Sequence, residues 1–327
     1  MSGAGLLLVS AIITVVPVFI YIWILWVVDR YEKEPISLLG VALLGGAVVA
    51  PALTAIVERV LGLSSSIFPA LFQIYPVVRP NLAGAVIEEL AKGAVILGAY
   101  HLLRREFDDT LDGIVYGATV GAGFALAESV SFLREMAPMA ASANFDAGFF
   151  FAIFMSGLTH CVFGATFGAT LGYVRETSPA GGMRLAMPVG GLVAAVLYHV
   201  GYVAAGAAGL AGIGGTPGML LGLGRRVADW AGLVMLAFVV VWAWSRERGI
   251  LRWGLADETT TGAITADEVS ALTGGGRLAG ARSLREALAE LAFAKWRVSR
   301  GFGSEEEVKR QRQRVLQLRS AKGGAHR

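Results

Sequence analysis

The sequence has few charged residues and almost no cysteine. Asp, Glu, Lys and Arg make up 16% of its 327 residues, against about 25% in ordinary soluble domains, and 55% of the residues are hydrophobic. This composition excludes a disordered chain and argues against an ordinary soluble enzyme. One cysteine, Cys161, excludes a disulfide framework and a cysteine-rich zinc module. The 43 glycines follow no Gly-X-Y period, which excludes a collagen.

The chain contains many long apolar segments. A helix needs roughly 20 apolar residues to cross the hydrocarbon core of a bilayer. Seven stretches meet that length: 4–28, 36–62, 82–103, 110–134, 147–173, 186–210 and 226–245. Residues 64–78 are apolar but short and contain two prolines, so we interpret them as an interfacial or re-entrant segment, or as half of an eighth span. We expect an all-α, polytopic transmembrane bundle of about seven helices, or eight with that segment.

The first apolar stretch resembles an anchor more than a signal peptide. It has no basic n-region, it is too long, and Asp29 and Arg30 follow it where a cleavage site would have small residues.

Charge divides the chain into two parts. Residues 1–245 carry 12 basic and 15 acidic residues, whereas residues 246–327 carry 16 basic and 10 acidic residues. We predict a multi-span transmembrane domain over 1–245, a linker over 246–281 and a basic, amphipathic helical tail over 282–327. Lys and Arg concentrate on the cytoplasmic side of membrane proteins, so we expect a cytoplasmic tail, an outside N-terminus and a multi-pass protein of the cell membrane. The tail fits contact with anionic lipid better than nucleic acid, because no aromatic residues alternate with its charges.

Glycines recur at every fourth residue in two of the predicted helices. Gly113, Gly117 and Gly121 lie in the first of these helices, and Gly164, Gly168 and Gly172 lie in the next. Such rows let helix backbones pack closely within a membrane. His160 belongs to the same row as Gly164, which places it on the packed face, towards the interior of the bundle.

Ionisable residues inside the predicted spans point to function. Each costs roughly 2.5–3.5 kcal/mol at the centre of a bilayer unless it finds a partner. The chain retains six of them: Glu88, Glu89, Lys92, Glu128, His160 and His199. Counting residues along each span places the acids and histidines in one layer between the midplane and the outer leaflet. We therefore expect them to face one another, water or a metal.

These residue types suit hydrolysis within the membrane. Lys92 lies three and four residues after Glu89 and Glu88, so it can neutralise one carboxylate and leave the other free. One possibility is a zinc site formed by Glu128, His160 and His199, with a bound water and a spare carboxylate as its base. The other is a metal-free site, in which a carboxylate activates water and the histidines orient it. The sequence leaves both open.

Four motifs together resemble the PrsW family of intramembrane proteases, over residues 17–205. The first is the acidic-basic loop DRYEKEP at 29–35, the second is Glu-Glu-x-x-Lys at 88–92, and the third runs from Asp112-Gly113 to the Phe124-x-x-x-Glu128 element. The fourth is the pair His160 and His199. The family is grouped with CAAX-prenyl endopeptidases and bacteriocin-processing proteins, whose helical bundle holds a comparable Glu/Glu/His/His site.

The resemblance implies an endopeptidase that cleaves a single-pass membrane protein, with membrane-anchored anti-sigma factors as the substrates associated with the family. It implies a catalytic site of Glu88, Glu89, Glu128, His160 and His199, of glutamate or zinc type. One departure is Val203, which stands four residues after His199 where the superfamily often has Asn, with Tyr202 beside it.

Two other functions use part of the same pattern. A proton-coupled transporter or channel could use the buried acids and histidines as a relay, but it would be expected to show inverted repeats, which the sequence lacks. A receptor or scaffold acting through its tail would not need the buried acids. We take the endopeptidase as the leading hypothesis, with Glu88 or Glu89 as base, Glu128 and His160 as ligands or water-positioning groups, and His199 as ligand or oxyanion donor.

Overall fold

The computed structural model describes residues 3–29, 31, 33–63, 82–104, 106–136, 147–210, 215–274, 282–301 and 303–324. Regular secondary structure within these ranges is helical throughout, with no strand, so the predicted all-α class is confirmed. The segment predicted to be interfacial, 64–78, lies outside the described residues. The helices are α1 (Gly3–Val28), α2 (Ile36–Leu44), α3 (Ala50–Val60), α4 (Leu82–Leu102), α5 (Thr110–Met136), α6 (Ala147–Thr177), α7 (Met183–Leu210), α8 (Gly215–Thr260), α9 (Ala266–Gly274), α10 (Arg282–Ser299) and α11 (Glu305–Gly324).

Four helical stretches among the described residues are long and apolar enough to cross a membrane. They are Ile36–Val60, Thr110–Phe132, Met183–Ala205 and Trp230–Thr260, and Val15–Val28 is a shorter apolar helix. The protein is therefore a membrane protein with several candidate spans. The expected number of seven or eight spans is not confirmed and stays a prediction. In α4, the three charged side chains of Glu88, Glu89 and Lys92 reduce the apolar character of the helix.

Two compact units make up the chain. The first comprises Met1–Val28 and Glu34–Phe238, and the second comprises Asp29–Lys33 and Val239–Arg327.

Helix α5 is the central helix of the first unit. Of its apolar stretch 72% is buried within the protein, against 22% for Ile36–Val60 and 17% for Met183–Ala205. It packs most extensively against α6 and also contacts α1 and α2. Protein therefore shields most of this stretch of α5.

The predicted glycine rows form the α5–α6 contact. Methyl groups at Gly113, Gly117 and Gly121 would overlap the backbone carbonyls of Gly168, Gly164 and His160, respectively. Only glycine allows two helices to approach this closely. The packing also confirms the predicted orientation of His160, which is buried.

A single π-helical turn, Gly45–Val49, joins α2 to α3. Pro51 follows directly in the first turn of α3, and a proline cannot donate the usual backbone hydrogen bond. At this turn Gly46 lies against the carbonyl of Val120 on α5. The sequence analysis did not anticipate this irregularity within the second apolar stretch.

The second unit differs from the expected linker and tail. Helix α8 continues past residue 245 to Thr260 and α9 spans Ala266–Gly274, so much of the segment expected to be linker is helical. The apolar residues of α8 continue beyond the charged cluster at 246–248 and reach Ile250, Leu251 and Leu255, which are buried. They form one hydrophobic core with the apolar side of α10. That side of α10 is covered by protein, whereas we had expected an amphipathic helix resting on lipid.

Many basic side chains of the second unit pair with its own acids. Lys295 and Arg312 both lie 2.6 Å from the buried carboxylate of Glu258. Two further pairs are Arg314 with Glu290 and Arg319 with Glu268, at 2.6 and 2.9 Å. Part of the positive charge that the sequence assigned to lipid contact therefore acts within the unit.

Candidate active site

The five predicted site residues come together in the first unit, on four consecutive helices. Helix α4 supplies Glu88 and Glu89, α5 supplies Glu128, α6 supplies His160 and α7 supplies His199. All are buried except Glu128, whose side chain is 29% exposed. The two imidazole rings lie edge to face, with their centroids 5.2 Å apart.

The neighbouring glutamates of α4 have different surroundings. Glu89 Oε1 accepts a hydrogen bond from Lys92 and contacts Nδ1 of His199 at 2.7 Å. Glu88 Oε2 is buried without a hydrogen-bond partner among the described residues, and it lies 3.9 Å from Nε2 of His199. Sequence spacing allowed Lys92 to neutralise either acid; the structure pairs it with Glu89 and leaves one oxygen of Glu88 without a hydrogen bond.

Glu128 contacts the other histidine. Its Oε2 lies 2.8 Å from Nε2 of His160, although the two residues are 32 positions apart in the chain. Because Gly121 brings the backbone of α6 against α5, Glu128 two turns further along α5 can reach the imidazole. The close helix packing thus places this pair.

Lys92 is fully buried and contacts more than its glutamate partner. The residue is 0% exposed, and its Nζ lies 2.9 Å from Nδ1 of His160. The rings of Phe124 and Phe163 lie 4.5 and 5.5 Å from the same nitrogen. Sequence reasoning assigned Lys92 only to the glutamates, because nothing in the local pattern shows a contact 68 residues away.

Phe163 is a second residue that the sequence analysis missed. Its ring stacks on His199 at 4.7 Å and meets His160 edge to face at 5.7 Å. The available signal was spacing, since Phe163 follows His160 by three residues and so shares its helix face.

Within the described part of the chain, one group of residues could hold a metal ion. Ligand atoms of Glu88, His160 and His199 all lie within 4.8 Å of one another, and all three side chains are buried. Two imidazoles and a carboxylate are an ordinary zinc set, so the donor chemistry fits. The group contains Glu88 where we had predicted Glu128, which instead contacts His160. Val203, one turn after His199 on α7, contributes no polar side chain.

Comparison with known proteins identifies the family of the chain. Residues 34–245 match the model of the family described as PrsW family intramembrane metalloprotease. Protease PrsW of Geobacillus kaustophilus (strain HTA426) is 31% identical over 138 residues, which cover 38% of this chain and 56% of the relative. The chain thus spans about half the length of that curated relative. No solved structure matches. Since the family match covers well over half of the chain and includes all five site residues, the protein belongs to the PrsW family of intramembrane metalloproteases.

Proposed function

We propose that the protein is an intramembrane endopeptidase that hydrolyses a peptide bond of a membrane-anchored protein. The observation that carries this proposal is the Oε2 atom of Glu88, which has no hydrogen-bond partner among the described residues and lies 3.9 Å from Nε2 of His199 in a buried cluster of glutamates and histidines. A buried carboxylate without a partner is costly, and such costs are typical of functional sites in membranes. Family membership and the name of the curated relative support a protease.

In the metal-free form of this proposal Glu88 is the base that accepts the proton of the attacking water, whereas in the zinc form the same carboxylate is a ligand. Its free oxygen can accept a hydrogen bond from that water, whereas the oxygen of Glu89 is already engaged by Lys92 and His199. Glu89 is then a positioning residue that holds His199. Glu128 plays the same part for His160, through their 2.8 Å contact. A general base of this kind typically contributes about 10²–10⁴-fold to a rate.

Two catalytic types are candidates, a zinc-dependent one and a metal-free one. A zinc ion would be held by Glu88, His160 and His199, and it would lower the pKa of a bound water and polarise the substrate carbonyl. In the metal-free mechanism the same water is activated by Glu88 alone. Chelation separates the two: treatment of purified, active protein with a strong chelator abolishes cleavage in the first case, and zinc restores it. Cleavage that persists in metal-free protein favours the second.

As substrate we propose a single-pass membrane protein, with a membrane-anchored anti-sigma factor as the first candidate. The buried position of the site favours a segment that enters from the membrane. We further propose the full bundle of seven or eight spans, with the site in the outer half of the bilayer, a cytoplasmic tail that contacts lipid, and no nucleic-acid partner. The wider relationship to CAAX-prenyl endopeptidases remains a prediction.

The test is cleavage of a tagged single-pass substrate by the full-length protein and by Glu88→Gln. Glutamine keeps the size of the side chain but cannot accept the proton, so we expect at least a 100-fold slower cleavage, within the usual range for a general base. Glu106→Gln, at an exposed position, is the matched control and should cleave at the wild-type rate. Undiminished cleavage by Glu88→Gln would overturn the assignment. Proton or ion flux through reconstituted protein without any cleavage would instead support the transporter alternative, which family membership does not favour.

A further inference from the structure

We propose that Lys92 is a positioning residue that fixes the two site histidines in opposite tautomers. His160 then carries its proton on Nε2 and acts as a hydrogen-bond donor, whereas His199 carries its proton on Nδ1 and presents the lone pair of Nε2. This inference deepens the proposed function, on which it rests.

The two contacts of the His160 ring determine its tautomer. Lys92 forms an ion pair with Glu89, so it is an ammonium group, which has donors and no acceptor. Its Nζ lies 2.9 Å from Nδ1 of His160, so that nitrogen accepts the hydrogen bond and carries no proton. The proton of the neutral ring is therefore on Nε2, which lies 2.8 Å from a carboxylate oxygen of Glu128 and donates to it.

Glu89 connects Lys92 to His199. The same oxygen of Glu89, Oε1, accepts from Lys92 and lies 2.7 Å from Nδ1 of His199. A carboxylate held by an ammonium group is ionised and can only accept, so Nδ1 of His199 carries the proton and donates. The lone pair of His199 is left on Nε2, 3.9 Å from the free oxygen of Glu88.

The surroundings of Lys92 preserve this arrangement. The side chain is fully buried, and Phe124 and Phe163 flank the ammonium group. Aromatic faces attract a cation and offer no hydrogen to a ring nitrogen. Among the described groups near Nδ1 of His160, Lys92 is the donor that the structure provides.

The two histidines are therefore not equivalent. His199 offers a lone pair on the side of Glu88, where it can accept a proton or bind a metal. His160 has hydrogen bonds at both ring nitrogens and must give up Lys92 or Glu128 before it can bind a metal. Sequence reasoning left His160 as a ligand or a water-positioning group and His199 as a ligand or an oxyanion donor. The hydrogen bonds of His160 make His199 the more available ligand.

Nitrogen-15 NMR of the full-length protein with labelled histidine, in nanodiscs, tests the tautomers without any cleavage assay. Signals are assigned with His160→Gln and His199→Gln. Spectra are recorded at a pH at which both imidazoles are neutral. We expect the pattern of a proton on Nε2 for His160 and on Nδ1 for His199. The same tautomer at both residues, or a mixture of the two tautomers at either, would overturn the proposal. Because no substrate is used, this outcome is separate from a failure of the proposed protease activity.

A variant tests whether Lys92 is the cause. Lys92→Met should let both tautomers of His160 appear in the spectrum and lower kcat by about 10- to 100-fold, as loss of such supporting partners typically does, with little change in KM. Lys92→Arg, which keeps the charge and the hydrogen-bond donors, should restore part of the preference for one His160 tautomer and part of kcat. Lys309→Met, an exposed substitution on α11, should change neither. A folded Lys92→Met protein with an unchanged His160 spectrum would overturn the role of Lys92, and the wild-type spectrum remains decisive if that variant does not fold.

Discussion

Glu88 and Glu89 are neighbours in the chain, yet their carboxylates meet different partners. Adjacent positions on a helix are about 100° apart around its axis, so one carboxylate of such a pair can face Lys92 and His199 while the other does not. Sequence spacing showed that one acid would be neutralised but could not choose between them, because i,i+3 and i,i+4 partners are both within reach. The choice depends on where α6 and α7 place the histidines, which is a long-range property.

This difference predicts that the same chemical change affects stability at one position and not at the other. Glu89→Gln removes the negative charge that compensates buried Lys92, and breaking a buried ion pair on one side typically costs about 3–5 kcal/mol. Glu88→Gln removes a buried carboxylate oxygen that has no hydrogen-bond partner, so we expect no loss of stability. Unfolding midpoints of the two purified variants in the same detergent measure the contrast. Equal midpoints would contradict the assignment of Lys92 to Glu89.

At the scale of the helices, local patterns were informative where a contact depends on periodicity. The glycine rows at every fourth residue predicted close helix packing and the inward position of His160, and the structure confirms both and shows that the two rows pack against each other. The π turn at Gly45–Val49 had no such signal, since it depends on Pro51 and on the approach of Val120 from another helix. The helical structure beyond residue 245 was missed because its Gly and Thr residues are also typical of linkers.

The α5–α6 contact leads to a prediction for Gly121. A methyl group there would overlap the carbonyl of His160, and overpacking of this kind costs about 1–3 kcal/mol. A shift of the His160 backbone by about 1 Å can lower a rate 100-fold. We expect Gly121→Ala to lose both stability and cleavage. The matched control is Gly98→Ala on α4, where a methyl group meets nothing within 4 Å, and both properties should be retained. Wild-type stability and cleavage in Gly121→Ala would show that α5 and α6 lie further apart than the structure places them.

Helix α5 also predicts a dependence of stability on pH. Asp109 caps the helix, with Oδ1 accepting from the backbone N–H groups of Leu111 and Asp112 at 2.7 and 2.9 Å. Burial, and then the nearby carboxylates of Glu176 and Asp108, raise the pKa of Asp109 from 3.8 to about 7. The folded protein therefore holds this proton when the unfolded chain has lost it. The resulting stabilisation is complete below about pH 4 and is lost as the pH rises through 7.

Asp109→Asn separates this effect from capping, because asparagine caps a helix about as well as aspartate but carries no charge. We expect the variant to be more stable than the wild type at pH 8, with a smaller change in stability between pH 5 and pH 8. Thermal unfolding at a series of pH values measures it. Asp267→Asn, at an exposed position in α9, should follow the wild-type curve. Parallel curves for Asp109→Asn and the wild type would mean that Asp109 does not titrate near pH 7 in the folded protein.

At the scale of the whole molecule, composition and charge established a membrane protein with a distinct C-terminal part, but they did not show how that part folds. Its 16 basic residues suggested a surface for lipid. The structure shows that several of them form ion pairs within the second unit, including Lys295 and Arg312 with Glu258. Pairing of this kind depends on tertiary structure and is invisible to a count of charges. The excess of basic residues remains, and it still predicts orientation.

We expect the C-terminal unit to lie in the cytoplasm, because Lys and Arg close to the end of a span resist translocation. Cysteine labelling tests this cleanly, since the chain has one cysteine, Cys161, and it is buried. Asp267→Cys, at an exposed position in α9, should react with a membrane-impermeant maleimide only after the cells are permeabilised. A fluorescent reporter fused after Arg327 that matures only in the cytoplasm should give signal in the same cells. Labelling of intact cells together with a dark, expressed fusion would reverse the orientation and move the proposed site to the opposite half of the bilayer.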